Sequence, residues 1–189
     1  MGGCVALEEA PPLEVTMHVP ACSYVAYASN PPSSGNHYGT PTQHKSYVSP
    51  VPRGFWVHNL EHGGVVFSYN CPSGCAAEVA AAQAVIDAAP IDMTCAPAGT
   101  LRRVLMTPDP HLDVRFAASA WGHTLRANCF EPKAFAAFLA AHYRMGPEDV
   151  CWDGPDQSVG QPAECGEPDF VPPDGGLPPS NHLPKGTFG

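Results

Sequence analysis

Val65-Val66-Phe67-Ser68-Tyr69, then Asn70-Cys71-Pro72-Ser73-Gly74-Cys75, then Ala76-Ala77-Glu78-Val79-Ala80-Ala81-Ala82-Gln83-Ala84-Val85-Ile86-Asp87-Ala88-Ala89-Pro90, is the stretch that decides the fold class. Four of its first five residues are β-branched or aromatic, the pattern of a buried strand. The Ala-rich run from Gly74 to Ala89 predicts a helix that begins after Pro72-Ser73 and stops at Pro90. Beyond it, Leu101 to Met106 predicts a strand, and Pro108-Asp109-Pro110 turns the chain. Val114 to Arg126 reads as a second strand region that pairs with the first as a hairpin. Glu131 to Met145 predicts a second helix, with Phe135, Phe138, Leu139 and Tyr143 on one face and Gly146-Pro147 as its end. The order strand–helix–strand–strand–helix implies an α+β fold: a small sheet with a hairpin and two packed helices.

Working outward, residues 1–14 form an N-terminal segment, 15–150 a single α+β domain, and 151–189 a Pro/Gly-rich irregular tail. Leu13 to Val19 alternates loosely, and Ser23 to Ala28 predicts a short strand. Residues 30–53 form a long loop rich in Pro, Gly and Ser. Loops of that length inside a domain are functional or disordered. This one carries His37, Tyr38, His44 and Tyr47, which argues for order.

The 189 residues suffice for one well-buried core, and no apolar stretch is long enough to cross a bilayer. With 9 Lys+Arg against 18 Asp+Glu the net charge is −9, which excludes a nucleic-acid binder that works by neutralising phosphates. The 23 prolines and 18 glycines are roughly double an ordinary share and exclude an all-helical bundle. Eight cysteines lie at 4, 22, 71, 75, 95, 129, 151 and 165. An even number, spread along a chain with few lysines, reads as a disulfide-stapled protein of an oxidising, extracytoplasmic compartment: periplasmic, secreted or anchored at the outer membrane. Pairing does not follow from spacing. Cys71-Pro72-Ser73-Gly74-Cys75 has one residue too many for the redox spacing and reads as two structural half-cystines. Met1-Gly2-Gly3-Cys4 lacks a basic start and an apolar run, so no signal peptide is read there. Gly-Gly-Cys is similar to the end of a bacterial lipoprotein signal, which makes Cys4 a candidate lipid anchor; the other reading is an ordinary cysteine near a terminus.

The chemistry concentrates in Val57-His58-Asn59-Leu60-Glu61-His62-Gly63-Gly64. On a helical turn His58 and His62 share one face and can share a metal ion. With Glu61 they complete His-x-x-Glu-His, in which two histidines hold zinc and the glutamate activates water. Such peptidases need a long helix and a third acidic ligand downstream. Here Pro50 and Pro52 precede the motif and Gly63-Gly64 end it, so one or two turns fit. Glu131 sits at a helix start beside Pro132 with nothing to mark it as a ligand. His37, in Ser33-Ser34-Gly35-Asn36-His37-Tyr38-Gly39, is the candidate third ligand. His123 follows Trp121-Gly122 and is placed to reach the same pocket, and the Met106 thioether would suit cuprous copper. His18, His44, His111, His142 and His182 read as surface or loop residues. There is no phosphate-binding Gly loop and no Gly-x-Ser-x-Gly elbow, so neither chemistry is supported.

Asn30-Pro31-Pro32-Ser33-Ser34-Gly35-Asn36-His37-Tyr38, Tyr47, Pro50-Val51-Pro52 and Val57-His58-Asn59-Leu60-Glu61-His62-Gly63-Gly64-Val65-Val66 together resemble the bacterial family catalogued as domain of unknown function 3105. Ala120-Trp121-Gly122 and Gly146-Pro147-Glu148 are similar to its downstream marks, so the resemblance spans roughly residues 15–150. It implies an exported or membrane-anchored protein and carries the motif residues His37, Tyr38, His58, Glu61, His62 and Trp121. It implies no activity. The many cysteines and the Pro-rich tail depart from the family pattern.

Three readings follow. The first is an extracytoplasmic metal-binding domain with His37, His58 and His62 as ligands to zinc or copper. Glu61 then fixes a histidine tautomer or supplies a fourth ligand, and Tyr38 and Trp121 wall the site. The second is a metal-dependent hydrolase with Glu61 as catalytic base. The third is a structural or interaction domain in which the histidines only brace the long loop. Protein partners are not readable from the chain.

Overall fold

The computed structural model describes residues 3–157. Its elements run β1 (Ala6–Glu9), β2 (His18–Val19), β3 (His37–Tyr38), α1 (Arg53–Glu61), β4 (Val65–Tyr69), α2 (Ala76–Ala88), a 3-10 turn (Ala96–Ala98), β5 (Val104–Pro108), β6 (Phe116–Ala120), β7 (His123–Ala127) and α3 (Pro132–His142). A five-stranded sheet has the order β1-β7-β6-β4-β5, and β2 and β3 form a separate parallel pair. The fold is α+β, as the pattern of Val65–Pro90 implies.

Period-two alternation divides the sheet into two faces. From β4, Val65 and Phe67 point with Val104 and Met106 of β5 toward α2 and α3, and close a core with Ala82, Ile86, Phe116, Phe135, Phe138 and Leu139. Val66 and Leu105 point the other way and pack with Tyr27, Tyr38, Tyr47, Phe55, Trp56, Val57 and Leu60. The helices predicted from Gly74 and Glu131 therefore cover one face, while α1 and the long loop cover the other. Glu131 is the cap of α3: its carboxylate accepts from the Ala134 N–H at 2.7 Å.

Two expectations are corrected. Val114–Arg126 is not one strand paired with β5. It folds on itself as the β6–β7 hairpin, with Ala120 opposite His123 and Gly122 at φ 72° in the turn. β5 pairs in parallel with β4, with α2 as the crossover, and β6 takes the other edge of β4. Ser23–Ala28 forms no strand; the short strand lies earlier, at His18–Val19. Within residues 1–14, β1 extends the sheet along β7.

Disulfides join Cys4–Cys129, Cys71–Cys75 and Cys95–Cys151, at Cα separations of 5.6, 5.9 and 5.0 Å. Cys22 is also disulfide-bonded. The sulfur of Cys4, the candidate lipid anchor, thus ties β1 to the loop after β7. Of the tail expected from residue 151, Cys151 to Gln157 are described, and Asp153 and Asp156 pair with His44 and Lys45 of the long loop. Cys165 and His182 lie outside the described residues. Among the described residues no helix is long and apolar enough to cross a membrane.

Candidate metal centre

α1 carries the motif. It runs nine residues from a Pro52 N-cap and is buried along almost its whole length. Gly63, at φ 80°, ends it: its N–H donates to Leu60 O, the Gly64 N–H donates to Asn59 O, and β4 starts at the next residue. One helical turn therefore presents His58, Glu61 and His62 at i, i+3 and i+4.

The second half of the site comes from the β2–β3 pair. His18 stands opposite His37 in register, so both side chains project from the same face. Sequence reading placed His18 at the surface, and its side chain is indeed 56% exposed. Its inner edge nevertheless meets the cluster. The His18 ring stacks on His58 with centroids 4.8 Å apart, and its Nε2 lies 3.6 Å from Glu61 Oε2. Glu61 Oε2 is 3.1 Å from His37 Nε2. One ligand atom from each of His18, His37, His58 and Glu61 lies within 4.8 Å of all the others.

Hydrogen bonds fix the tautomers. His37 Nδ1 is 2.9 Å from Gly35 O, and His58 Nδ1 is 2.7 Å from Tyr38 O. A carbonyl only accepts, so both Nδ1 atoms carry hydrogen and donate. In the neutral rings each Nε2 is then a lone pair facing inward. At His37 that lone pair meets a carboxylate, two acceptors in contact with no donor between them. One positive charge resolves the conflict, either a proton or a metal cation. Ring N–H groups donated to backbone carbonyls are the usual support of metal-bound histidine. Four donors at 2.0–2.1 Å from a tetrahedral ion stand about 3.3 Å apart, a value bracketed by the 3.1 and 3.6 Å contacts of Glu61.

His62 is displaced from this group. Its Nε2 lies 3.1 Å from His58 Nε2 and 3.3 Å from Glu148 Oε2, and it forms a second group with Glu61 and Glu148. Burial, reinforced by His58, His44, His37 and His18 around it, pushes the His62 pKa down to about 4. Burial also lowers that of His58, outweighing the bond to Tyr38 O.

The remaining candidates divide. Trp121 stands edge-on to His37 at 6.3 Å, held there because the Gly122 N–H donates to Ser33 O in the His37 loop. Tyr38 contributes its carbonyl rather than its ring, which packs against Phe55 while the hydroxyl donates to Ser23 O. His123 does not join the cluster. It stacks on His142 at 4.1 Å beside Glu8, on the α3 side of the sheet. Met106 belongs to the core between the sheet and the two helices, because strand parity turns it away from α1. Bracing of the long loop falls to Asn59, which bonds both the N–H and the carbonyl of Thr42, and to His44, which bridges Asn59 and Asp153.

Sequence reading missed His18, Glu148 and Trp152. Trp152 lies edge-on to His58 at 5.7 Å and 6.1 Å from His62. Its segment returns to the site through close backbone packing: a Cβ on Gly146 would sit 2.4 Å from Glu61 O, and the Glu148 N–H donates to that same oxygen. Gly146-Pro147-Glu148 was the available signal, although its proximity to Glu61 is not local in the chain.

Residues 18–152 match the family described as Protein of unknown function (DUF3105), and the chain belongs to that family. No curated protein and no solved structure matches it.

Proposed function

We propose that this DUF3105 protein is an extracytoplasmic metal-binding domain whose ion is held by His37, His58, Glu61 and His18, with His62 alongside. The observation that carries this reading is the paired donation of His37 Nδ1 and His58 Nδ1 to Gly35 O and Tyr38 O, which frees both Nε2 lone pairs, that of His37 lying 3.1 Å from the Glu61 carboxylate in a cluster that also holds His58. His62, expected to complete a three-histidine set, gives up that place to His18 and stands at the edge of the site. Zinc is favoured over copper. The donors are three imidazoles and a carboxylate, and the Met106 thioether that would suit cuprous copper packs in the opposite core. Glu61 within the ligand set favours binding over the hydrolytic reading, which needs that carboxylate free as a base. Disulfide bonding supports an oxidising compartment.

The test is elemental analysis of full-length protein purified without chelator or affinity-tag metal. Bound zinc, lowered by one ion in His37→Ala and in His58→Ala, is the expected result. No zinc or copper, bound as purified or after addition to the metal-free protein, would overturn the reading and leave the structural one.

A further inference from the structure

We propose a second cation position beside the first, formed by Glu61, His62 and Glu148 and sharing Glu61 as a bridge. This rests on the metal-binding reading above and extends it to a two-metal centre. One ligand atom from each of the three residues lies within 4.8 Å of the others, and Glu61 is common to both groups. A carboxylate has two oxygens and can serve two ions at once.

His62 supplies the independent observation. Its side chain is only 4% exposed, and its Nδ1 has no hydrogen-bond partner among the described residues. Its Nε2 faces His58 Nε2, a lone pair because His58 Nδ1 donates to Tyr38 O, and on another side the carboxylate of Glu148. With the His58 lone pair held by the first ion, Glu148 is the group that faces His62 Nε2, at 3.3 Å. If Nδ1 carries the hydrogen, the Nε2 lone pair meets that carboxylate with no donor between them, and if Nε2 carries it, Nδ1 is a buried lone pair with no donor. A cation on Nε2, also held by Glu148 and Glu61, removes the first conflict and leaves Nδ1 as the N–H.

The surroundings fit a built position rather than a chance contact. Arg103, buried in full, donates to His62 O at 2.8 Å and fixes the end of α1. Glu148 is set by its own N–H bond to Glu61 O, and Cys151, three residues on, is bonded to Cys95. Glu148 is 53% exposed, so this position reaches solvent and leaves room for an oxygen ligand from water or an anion. The class of cofactor is a second divalent cation that accepts mixed imidazole and carboxylate donors, zinc being the probe of choice.

The experiment is zinc stoichiometry of the full-length, metal-free protein, titrated and then desalted, for the parent, His62→Ala, Glu148→Gln and His37→Ala. The expected result is two ions per chain in the parent and one in His62→Ala and Glu148→Gln. Glu148→Gln lies at the surface and keeps the test open where His62→Ala does not fold; far-UV circular dichroism reports folding for each. A parent that stops at one ion, lost in His37→Ala but kept in His62→Ala, overturns the second position and leaves the first standing. Two ions that survive both His62→Ala and Glu148→Gln also overturn it, and His123→Ala then tests the group at Glu8 and His142. A parent that takes up none overturns the reading on which the proposal rests.

Discussion

His58 Nδ1 donates to the backbone carbonyl of Tyr38 across 2.7 Å, so the residue after His37 orients the ring of the helix opposite. β3 and α1 thereby lock each other. The same bond that anchors the loop to the helix also points the His58 Nε2 lone pair at the site.

Ligation on these rings has a thermodynamic signature. A ligand that binds only the folded state adds about 2.7 kcal/mol at a concentration a hundredfold above its Kd. Adding zinc should therefore raise the Tm of the parent by several degrees. His37→Ala, which loses a ligand of the first ion, should show a clearly smaller zinc-induced rise. Equal zinc-induced shifts in both proteins would place the binding elsewhere.

Metal-free stability should depend on pH in a defined direction. The folded state holds His62 neutral down to about 4, whereas an unfolded histidine titrates at its ordinary value of 6.5. Between those values the unfolded chain binds more protons, so unfolding becomes easier as pH falls from 6.5 toward 4. Above 6.5 this contribution is complete and flat. The lowered pKa of His58 acts in the same direction. Urea midpoints at pH 7.5, 5.5 and 4.5 should decline in the parent and decline less in His62→Gln. Equal slopes would remove His62 as the origin.

The Cys95–Cys151 disulfide closes a separation of 56 residues and holds the segment that carries Glu148 and Trp152. Chain-entropy arithmetic for a loop of that length gives about 4 kcal/mol. The double variant Cys95→Ser/Cys151→Ser should unfold at lower urea, and zinc should dissociate faster from it. An unchanged dissociation rate would mean that the packing of Gly146, the Glu148 N–H bond and the ion pairs of Asp149 and Asp153 hold the segment without the disulfide.

Arg103 ties three parts of the chain together. It is buried in full, pairs with Asp92 at 2.9 Å and Asp149 at 2.7 Å, and donates to His62 O. Removing one partner of a buried pair leaves an uncompensated charge at a cost of about 3–5 kcal/mol. Arg103→Met should lose that much in urea unfolding. Arg103→Met/Asp92→Asn should recover part of it. A loss under 1 kcal/mol would show that solvent reaches Asp92.

The parts of the fold legible in the chain are those whose signal is local. The apolar run Val65–Tyr69, the Ala-rich run into α2 and the Phe135, Phe138, Leu139 face of α3 each carry their periodicity within one element. The β6–β7 hairpin was misjudged because Trp121-Gly122 offers one glycine as its only turn signal, between two stretches that both read as strand. Parallel pairing of β5 with β4 also had no local mark, since it depends on where α2 delivers the chain.

The site divides on the same line. His58, Glu61 and His62 were legible as neighbours because i, i+3 and i+4 positions meet on any helical turn. His37 was a candidate because a loop ligand added to two on a short turn is a common arrangement for a three-histidine site. His18 was missed because it comes alongside His37 through a two-residue strand pair that leaves no pattern.

By itself the sequence determined the α+β class, the cross-linked character, the acidic charge and the helical half of the site, because each follows from residue types and short-range geometry. Only the tertiary structure decided that His18 comes alongside His37, which face Met106 occupies, and that Glu148 returns to Glu61. Those depend on strand parity, register and long-range closure, which emerge when the whole core packs.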